Sequence, residues 1–378
     1  MKTLLDLGTQ PLVNNLCETK EDSLSVKRYR LRAEMADDML INLDAESTVP
    51  PDELYAHYLY RSGVNIPYVK HCDDMAHLFV GSRRGTVIDV GGNDGTLLKS
   101  FRRTMGIQNL INVDASSSMR EDNESAGIKY VEGYFSPDMD LPTADIITST
   151  NVFQHTSDVH KFLAAIVKHL HDDGIWLLEF PYTLNTLKTL QFDQFYHEHY
   201  FYWLMTPLIK LLSMYHLEVV YVEEHYIHGG SLRLLIRKDK DSWHKSDYAK
   251  YVEREIDFDY QGWNDRVADK IKRDKAIIEN LDGTVAFFGA AAKGCVYLNA
   301  LDIQASDKYL YIVDDTPAKE GKWMPGTGLQ VVARDALRYE KPDNLIILAH
   351  NFADHIIKSL NNYDGKIIIM YGDNHGNI

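Results

Sequence analysis

From about residue 85 onward, short apolar runs alternate with amphipathic segments. Four runs in the first half have the length and composition of buried strands: Val87–Val90, Leu110–Val113, Asp145–Thr148 and Ile175–Phe180. Between the last two, segment 157–170 has apolar residues at helical spacing, with Ser157 or Asp158 as its start and Gly174 as its end. Strands alternating with helices of this length predict a parallel sheet with helices on its faces.

The remaining pattern divides the chain into four parts. Residues 1–75 contain few periodic segments and predict a small irregular domain. Residues 76–238 carry the first α/β pattern, and the charged residues 239–280 favour a solvated helical connector. Residues 281–378 predict a second α/β domain, with strand-like runs at Thr284–Phe288, Tyr309–Val313, Asn344–Leu348 and Lys366–Met370.

Charge and cysteine content restrict the class of protein. The formal net charge is −15 over 378 residues, whereas nucleic-acid-binding surfaces are usually basic, so we expect no nucleic-acid partner. Cys17, Cys72 and Cys295 form no CxxC pair, which argues against a disulfide framework or a four-cysteine zinc site. No window approaches the roughly 18 apolar residues of a membrane span, and the first residues lack a secretory signal. We therefore expect a reduced, cytoplasmic protein without a membrane partner.

A glycine-bearing turn, Gly91–Gly95, follows the first strand-like run and precedes a helical segment. Glycines at such a place let the backbone approach a ligand closely. The dinucleotide spacing G-x-G-x-x-G fails, because Asn93 and Thr96 stand where glycines are required. No Lys-Ser or Lys-Thr pair follows, so a P-loop is excluded. An ordinary turn without a ligand is the alternative interpretation.

The acidic residues around this turn narrow the choice of ligand. Asp89 and Asp94 would repel a pyrophosphate but suit a positively charged amino acid group, and Asp114 stands where a carboxylate can bind ribose hydroxyls. The combination predicts S-adenosylmethionine as the cofactor. Residues 144–155 resemble the fourth-strand region of class I methyltransferases. The predicted cofactor contacts are Asp89, Gly91, Gly92, Asn93, Asp94, Asp114 and Asn151.

Two histidines, one glutamate and three tyrosines lie within residues 192–203. His197 and His199 are two residues apart and no third ligand is obvious, so a metal site is disfavoured. A neutral imidazole has a pKa near the operating pH, and a neighbouring carboxylate such as Glu198 can orient it. The segment therefore predicts a general base.

Several motifs, in order, resemble the nucleotide-sugar C-methyltransferases, which act on 4-keto-deoxysugars. The similar segments span nearly the whole chain: Leu7–Asn14, Tyr58–Ser62, Asp89–Leu98, Asn151–His155, Tyr196–His199, His228–Arg233, Phe288–Gly294, Asp314, Lys319–Gly321, Pro325–Gly326 and Leu348–Asn351. The resemblance implies an α/β fold: a class I methyltransferase Rossmann-like domain, a C-terminal Rossmann-like domain that binds the nucleotide-sugar, and a small N-terminal domain on the acceptor side.

The resemblance also implies catalytic roles. His199 corresponds to the catalytic base, with Tyr196 and Glu198 beside it and His155 as a second histidine. A tyrosine of the N-terminal domain reaches the site in that family, and we assign it to Tyr60 in preference to Tyr58. The base would remove the hydrogen next to the C4 ketone, and the enolate would attack the sulfonium methyl group. Tyr196 or His155 would donate a hydrogen bond to the enolate oxygen.

The loop Gly289–Gly294 matches a relaxed G-x-A-x-x-G, with a carboxylate about 20 residues later. Alone, it would suggest a dinucleotide site and an oxidoreductase, and a packing loop without ligand is a further alternative. The resemblance instead implies a nucleotide-diphosphate sugar. Lys293 and the helix start could offset its phosphate charge. The predicted substrate contacts are Gly289, Lys293, Gly294, Asp314 and Asn351.

The chain departs from the family at its N-terminus. That domain usually binds zinc through two CxxC pairs, but neither is present, and the second pair would fall near residues 33–37. We therefore expect no structural zinc. Two other functions stay open: O- or N-methylation of a sugar or similar metabolite, and a non-catalytic binding or assembly protein that keeps the methyltransferase fold.

Overall fold

A computed structural model describes residues 1–54, 61–64, 66–79, 85–225, 229–239, 248–360 and 363–371. The strands are β1 (Lys2–Pro11), β2 (Arg28–Met35), β3 (Ile41–Leu43), β4 (Val87–Val90), β5 (Leu110–Asp114), β6 (Lys129–Glu132), β7 (Ala144–Thr150), β8 (Leu170–Pro181), β9 (Phe201–Tyr202), β10 (Leu217–His225), β11 (Ser231–Lys238), β12 (Val285–Phe288), β13 (Tyr309–Val313), β14 (Gln330–Val332), β15 (Asn344–Ile347) and β16 (Lys366–Ile369). The helices are α1 (Lys20–Leu24), α2 (Pro51–Leu54), α3 (Ile66–His77), α4 (Thr96–Met105), α5 (Arg120–Glu124), α6 (Val159–His169), α7 (Thr183–Lys188), α8 (Met205–Ser213), α9 (Ala249–Ile256), α10 (Trp263–Glu279), α11 (Ala292–Ala300), α12 (Ala336–Tyr339) and α13 (Ala353–Ser359).

The central sheet has seven strands in the order β10-β11-β8-β7-β4-β5-β6. Strands β4 to β8 pair in parallel, whereas β11 runs antiparallel to β8 and β10. The four strands predicted in this half are confirmed, and β4 has the predicted bounds. Because their carboxyl ends meet at one edge, the turn after β4 and the segment after β7 lie beside each other.

Helix α6 confirms one predicted boundary and corrects the other. Asp158 caps its start by accepting a hydrogen bond from the backbone N–H of Lys161. The predicted end at Gly174 is wrong, because Leu170 is already extended and pairs with Ala144 as β8 begins. Gly174 lies inside this strand, where an added Cβ would come within 2.9 Å of the His171 carbonyl oxygen.

The N-terminal residues form a sheet, and the prediction of an irregular domain is wrong. Strands β1, β2, β3 and β9 make a four-stranded antiparallel sheet in that order. In β2 the buried Leu31 and Ala33 alternate with more exposed arginines, which is the strand period of two. The family's second CxxC pair would fall near residues 33–37, and most of these residues lie in β2, between β1 and β3. The fourth strand, Phe201–Tyr202, comes from the segment that carries the predicted base.

The connector between the two α/β patterns is not a solvated helix, which corrects that prediction. It forms α9 and α10, and both bury one face. Trp263 and Ile278 of α10 are fully buried, and the buried Lys270 and Asp274 form an ion pair at 2.6 Å. In α9, the Glu255 carboxylate accepts hydrogen bonds from the backbone N–H groups at the start of α8. The connector is thus part of the core.

The C-terminal sheet is parallel, in the order β14-β13-β12-β15-β16, and the four strands predicted there are confirmed. One hydrophobic cluster runs through all three sheets and includes Leu31, Trp203 and Val296. Among the described residues, no helix is long and apolar enough to cross a membrane. The three sheets therefore enclose a shared interior and hold the site between them.

Candidate functional site

A cavity of about 700 Å³ opens at the carboxyl ends of β4, β5 and β7. Residues from all three sheet regions form its wall. The N-terminal region contributes Val13, Asn14, Leu16 and Pro51, and the C-terminal region contributes Ala290–Lys293, Lys319, Leu348, Ala349, Asn351 and Phe352. The volume falls within the range of small-molecule sites.

The turn after β4 needs its glycines because other groups press against it. An added Cβ at Gly91 would come within 2.4 Å of Val152 Cγ2, and one at Gly92 within 2.6 Å of Asp89 Oδ2. The Asp114 carboxylate accepts hydrogen bonds from the backbone N–H groups of Asn93 and Ser116, at 3.0 and 2.9 Å. The turn is therefore held close to the end of β5.

The acidic residues of this turn divide into two groups. Asp89 and Asp114 line the cavity, and burial raises the pKa of both, that of Asp89 to about 7. Asp94 does not line it, because its carboxylate accepts from the Gly63 N–H at 2.8 Å and the Thr96 hydroxyl at 2.6 Å. The predicted role of Asp94 toward the cofactor is thus replaced by a structural one.

The two histidines of the site have similar hydrogen bonds. His199 Nδ1 lies 2.9 Å from the Gln194 carbonyl oxygen, and His155 Nδ1 lies 2.8 Å from the Glu198 carbonyl oxygen. Since a carbonyl only accepts, each Nδ1 carries the proton and each Nε2 is the basic nitrogen. The two rings are 4.8 Å apart.

His155 does not suit the predicted role of donor to an enolate. Burial lowers its pKa to about 4, so the ring is neutral at physiological pH and its Nε2 can only accept. The Tyr196 ring centroid lies 3.9 Å from that of His199, and both side chains line the cavity. Tyr196 therefore remains as the donor in this pair.

A residue of the N-terminal region holds the Glu198 side chain in place. Both carboxylate oxygens accept from the Asn14 side-chain amide, at 2.7 and 2.9 Å, and burial raises the pKa of Glu198 to about 7. The prediction that this carboxylate orients His199 is wrong, because the Gln194 carbonyl does so. Asn14 was missed as a site residue, although it ends the first motif of the family resemblance.

His197 points away from the cavity. Its Nε2 lies 2.9 Å from the Arg30 carbonyl oxygen, and its ring packs against Tyr29. Within the described ranges, no three His, Cys, Asp or Glu side chains are grouped in a way that could hold a metal ion. His197 thus joins the His199 segment (residues 192–203) to β2.

The second glycine loop repeats the construction of the first. The Asp314 carboxylate accepts from the backbone N–H groups of Ala290 and Thr316, at 2.8 and 2.9 Å, as Asp114 does in the first loop. Gly289 and Gly294 allow close packing: a Cβ at Gly294 would come within 2.8 Å of the Gly289 carbonyl oxygen. These three predicted substrate contacts therefore shape the loop and do not line the cavity.

Two lysines give this side of the cavity its charge. Lys319 Nζ lies 3.2 Å from Asp314 Oδ2 and 2.9 Å from the Ala290 carbonyl oxygen. Burial lowers the pKa of Lys293 to about 8, with the Asp193 carboxylate opposing the shift. Lys319 was missed as a site residue, although it opens the motif Lys319–Gly321.

The sequence and its known relatives agree on a family. Residues 68–222 match the family model of a methyltransferase domain, and residues 226–370 match that of a C-methyltransferase C-terminal domain. The C-methyltransferase NovU of Streptomyces niveus is 26% identical over 374 residues, which cover 94% of this chain and 88% of NovU. The chain belongs to the S-adenosylmethionine-dependent C-methyltransferases.

Two solved structures are similar to about half of the C-methyltransferase. An S-adenosylmethionine-dependent methyltransferase from Clostridium acetobutylicum is 12% identical, with a TM-score of 0.39, covering 50% of this chain and 96% of that one. A protein from Pyrococcus horikoshii is 17% identical, with a TM-score of 0.40, covering 50% and 99%.

S-adenosylmethionine is the cofactor of the C-methyltransferase, and the donor and acceptor groups after β4, β5 and β7 fit it. Asn151 lines the cavity in a left-handed backbone conformation with φ 56°. Its buried Oδ1 has no hydrogen-bond partner in the part of the chain that the structure describes. Such an acceptor is satisfied by a ligand that donates hydrogen bonds. Asp89, Asp114 and Asn151 would hold the ammonium and ribose groups.

The cavity of the C-methyltransferase brings together most of the predicted site residues. Those on its wall are Asp89, Gly91, Gly92, Asn93, Asp114, Asn151, His155, Tyr196, Glu198, His199, Lys293 and Asn351. Tyr60, the predicted tyrosine of the N-terminal region, lies outside the described residues, as does His228.

Proposed function

We propose that the C-methyltransferase transfers a methyl group to carbon in a nucleotide-diphosphate-linked 4-keto-deoxysugar, with His199 as the base. One observation carries the proposal. One cavity is lined by His199, by the carboxyl groups of Asp89 and Asp114, and by the lysines Lys293 and Lys319. Carboxylates suit a cationic cofactor, and lysines suit a diphosphate.

The catalytic step begins with removal of the hydrogen next to the C4 ketone. The basic Nε2 of His199 takes this proton. The Gln194 carbonyl, which accepts from Nδ1, stabilises the imidazolium that forms, because a charged donor strengthens the hydrogen bond. Tyr196 donates to the enolate oxygen. S-adenosylmethionine, when bound, supplies a methyl group on a positively charged sulfur.

His155 and Glu198 complete the acceptor side. His155, neutral at physiological pH, offers an acceptor nitrogen to a sugar hydroxyl. Glu198 has a pKa of about 7 and is close to half protonated there, so it can serve as either donor or acceptor. Lys293, Lys319 and Asn351 would bind the nucleotide-diphosphate end of the substrate.

The test is a mass-spectrometric screen of 4-keto nucleotide-sugars with methyl-labelled S-adenosylmethionine. We expect one labelled methyl group on carbon of a single sugar class, with solvent deuterium exchange at the same carbon when S-adenosylhomocysteine replaces the cofactor. His199→Ala should keep cofactor affinity but lose exchange and turnover by about 10²- to 10⁴-fold, the usual contribution of a general base.

His197→Gln is the matched control, because glutamine can still donate to the Arg30 carbonyl, and it should keep both activities. Exchange at the wild-type rate in His199→Ala would remove this histidine as the base. A label found on oxygen or nitrogen, without exchange at carbon, would support the O- or N-methylation alternative. No transfer to any tested sugar would count against the proposed substrate.

A further inference from the structure

The turn that orients His199 contacts the C-terminal region. Gln194, whose carbonyl accepts from His199 Nδ1, ends the 3-10 turn Phe192–Gln194. Phe192 stacks on Tyr297 of α11, with ring centroids 5.7 Å apart. The position of the base therefore depends on packing against the region that carries Lys293.

A chain of hydrogen bonds runs from this turn to the loop after β15. His350 Nε2 lies 3.2 Å from Gln191 Oε1. The backbone N–H of Gln194 donates to the Gln191 carbonyl at 3.1 Å, and its side-chain amide approaches Gln191 Oε1 at 3.4 Å. Burial lowers the pKa of His350 to about 3, so its ring is neutral and Nε2 donates. Gln191 thus links His350 to the residue that orients the base.

A buried carboxyl lies beside the same link. Asp193 is 1% exposed, and its Oδ1 has no hydrogen-bond partner among the described residues. Its Oδ2 lies 3.8 Å from His350 Nδ1, and Lys293 is close enough to oppose the rise of its pKa. Burial raises the pKa of Asp193 to about 6, and Lys293, Tyr371 and Lys270 oppose this shift. Asp193 and His350 therefore belong to one polar cluster with the cavity-lining Lys293.

The other face of these segments lines the cavity. Lys293 and Asn351 are on the wall, whereas His350 and Gln191 lie behind it. A group bound to Lys293 and Asn351 would contact the cavity side of these segments. His350 and Asp193 lie on the side that faces away from the cavity. The link therefore joins the wall proposed for the diphosphate to the proposed base, some 150 residues earlier in the chain.

We propose that His350 and Gln191 are positioning residues, which orient His199 in response to an anion on the wall formed by Lys293 and Asn351. This inference rests on the proposed function of His199 as the base. It assigns no chemical step to either residue. A diphosphate bound to this wall would hold Gln194, and with it the imidazole, in the orientation for proton removal.

The test uses the whole chain with inorganic pyrophosphate as the probe. Histidine labelled with ¹⁵N reports the Nδ1 and Nε2 signals of His199, assigned by their loss in His199→Gln. We expect pyrophosphate to shift these signals in the wild type. His350→Met lacks the donor to Gln191 and should abolish the shift, whereas His350→Gln keeps an N–H at the Nε2 position and should restore most of it.

Kinetics supply a second readout on a 4-keto nucleotide-sugar. His350→Met should lower kcat about 10- to 100-fold, the cost of a slightly misplaced base, with the Kd for S-adenosylmethionine unchanged. His350→Gln should stay within about threefold of wild type. A merely structural role would lower cofactor affinity and thermal stability in parallel with kcat.

Two results would overturn the inference: no effect of pyrophosphate on His199 in the wild type, or an equal shift in His350→Met. If the pyrophosphate response follows the expected pattern but no sugar is methylated, the positioning role stands and the proposed substrate fails. The same set of variants therefore tests the positioning role and the proposed substrate separately.

Discussion

Burial, more than charged neighbours, sets the pKa values of three residues that line the cavity, Asp89, Glu198 and His155. Burial raises the pKa of Asp89 and Glu198 to about 7 and lowers that of His155 to about 4, so all three are shifted toward their neutral forms. Their hydrogen-bond partners are mainly amides, hydroxyls and backbone groups. Asp89 and Glu198 therefore change protonation state near neutral pH, whereas His155 stays neutral there.

Glu198→Gln is expected to stabilise the fold above pH 7. Burial raises the pKa of Glu198 from 4.5 to about 7, so between these values the folded chain holds a proton that the unfolded chain releases. This contribution to wild-type stability is complete below about pH 4.5 and is lost as the pH rises to about 7. Glutamine keeps an acceptor for Asn14 and does not ionise.

Urea unfolding of both proteins at pH 4.5, 6 and 8 measures this effect. The variant should gain on the order of 3 kcal/mol relative to wild type between the lowest and highest pH, since one pKa unit corresponds to about 1.4 kcal/mol. Glu253→Gln, at an exposed position of α9, should show no such gain. A difference independent of pH would contradict the raised pKa.

At the scale of elements, the sequence predicts helices and strands best where one face of the element, or the whole run of residues, is apolar. Strand β4 and the four C-terminal strands follow from continuous apolar runs, which buried parallel strands require. The longest N-terminal strand, β1, was missed because its register shifts, so that its buried residues come in consecutive pairs and do not alternate. The strand that completes this sheet, β9, lies more than 150 residues away along the chain.

The connector was misread for a different reason. Its buried positions include charged residues, Glu255, Lys270 and Asp274, which a hydrophobic pattern counts as solvated. Each is paired inside the protein: Glu255 with the start of α8, and Lys270 with Asp274 and the Met370 carbonyl. A sequence pattern cannot show such pairing, because the partners lie on distant elements.

Glu255→Ala is expected to destabilise the protein by about 2–5 kcal/mol, because it leaves two buried N–H groups at the start of α8 and the Tyr182 hydroxyl without their acceptor. Urea unfolding measures the change. Glu253→Ala on the exposed face of the same helix is the control and should change stability by less than about 0.5 kcal/mol. Equal effects of the two substitutions would support the original prediction that the connector is a solvated helix.

At the scale of the whole molecule, all three regions contact the His199 segment (residues 192–203). The N-terminal sheet contacts it through β3 and β9, and the Tyr200 hydroxyl donates to the Val49 carbonyl at 2.6 Å. The C-terminal region contacts it through Phe192 and Tyr297. The motifs of the site were predictable from the sequence, but the contacts that set their roles, such as Asn14 with Glu198, depend on these long-range arrangements.

A substitution in the N-terminal sheet is therefore expected to affect the whole chain. Ile41 of β3 is fully buried and pairs with Tyr202 of β9. Ile41→Ala should cost about 2–5 kcal/mol through the cavity it leaves. Because one hydrophobic cluster spans the three sheets, unfolding followed by far-ultraviolet circular dichroism and by tryptophan fluorescence should stay coincident in wild type and variant.

The same variant separates the N-terminal sheet's effects on catalysis and on cofactor binding. Below its unfolding transition, Ile41→Ala should lower turnover more than affinity for S-adenosylmethionine, because β9 follows His199 directly whereas the proposed cofactor-binding residues follow β4, β5 and β7. Ile277→Ala, at a partly exposed position of α10, is the matched control and should leave both unchanged. If Ile41→Ala shows an earlier, separate unfolding transition that spares both turnover and cofactor binding, the N-terminal sheet folds and acts independently of the His199 segment.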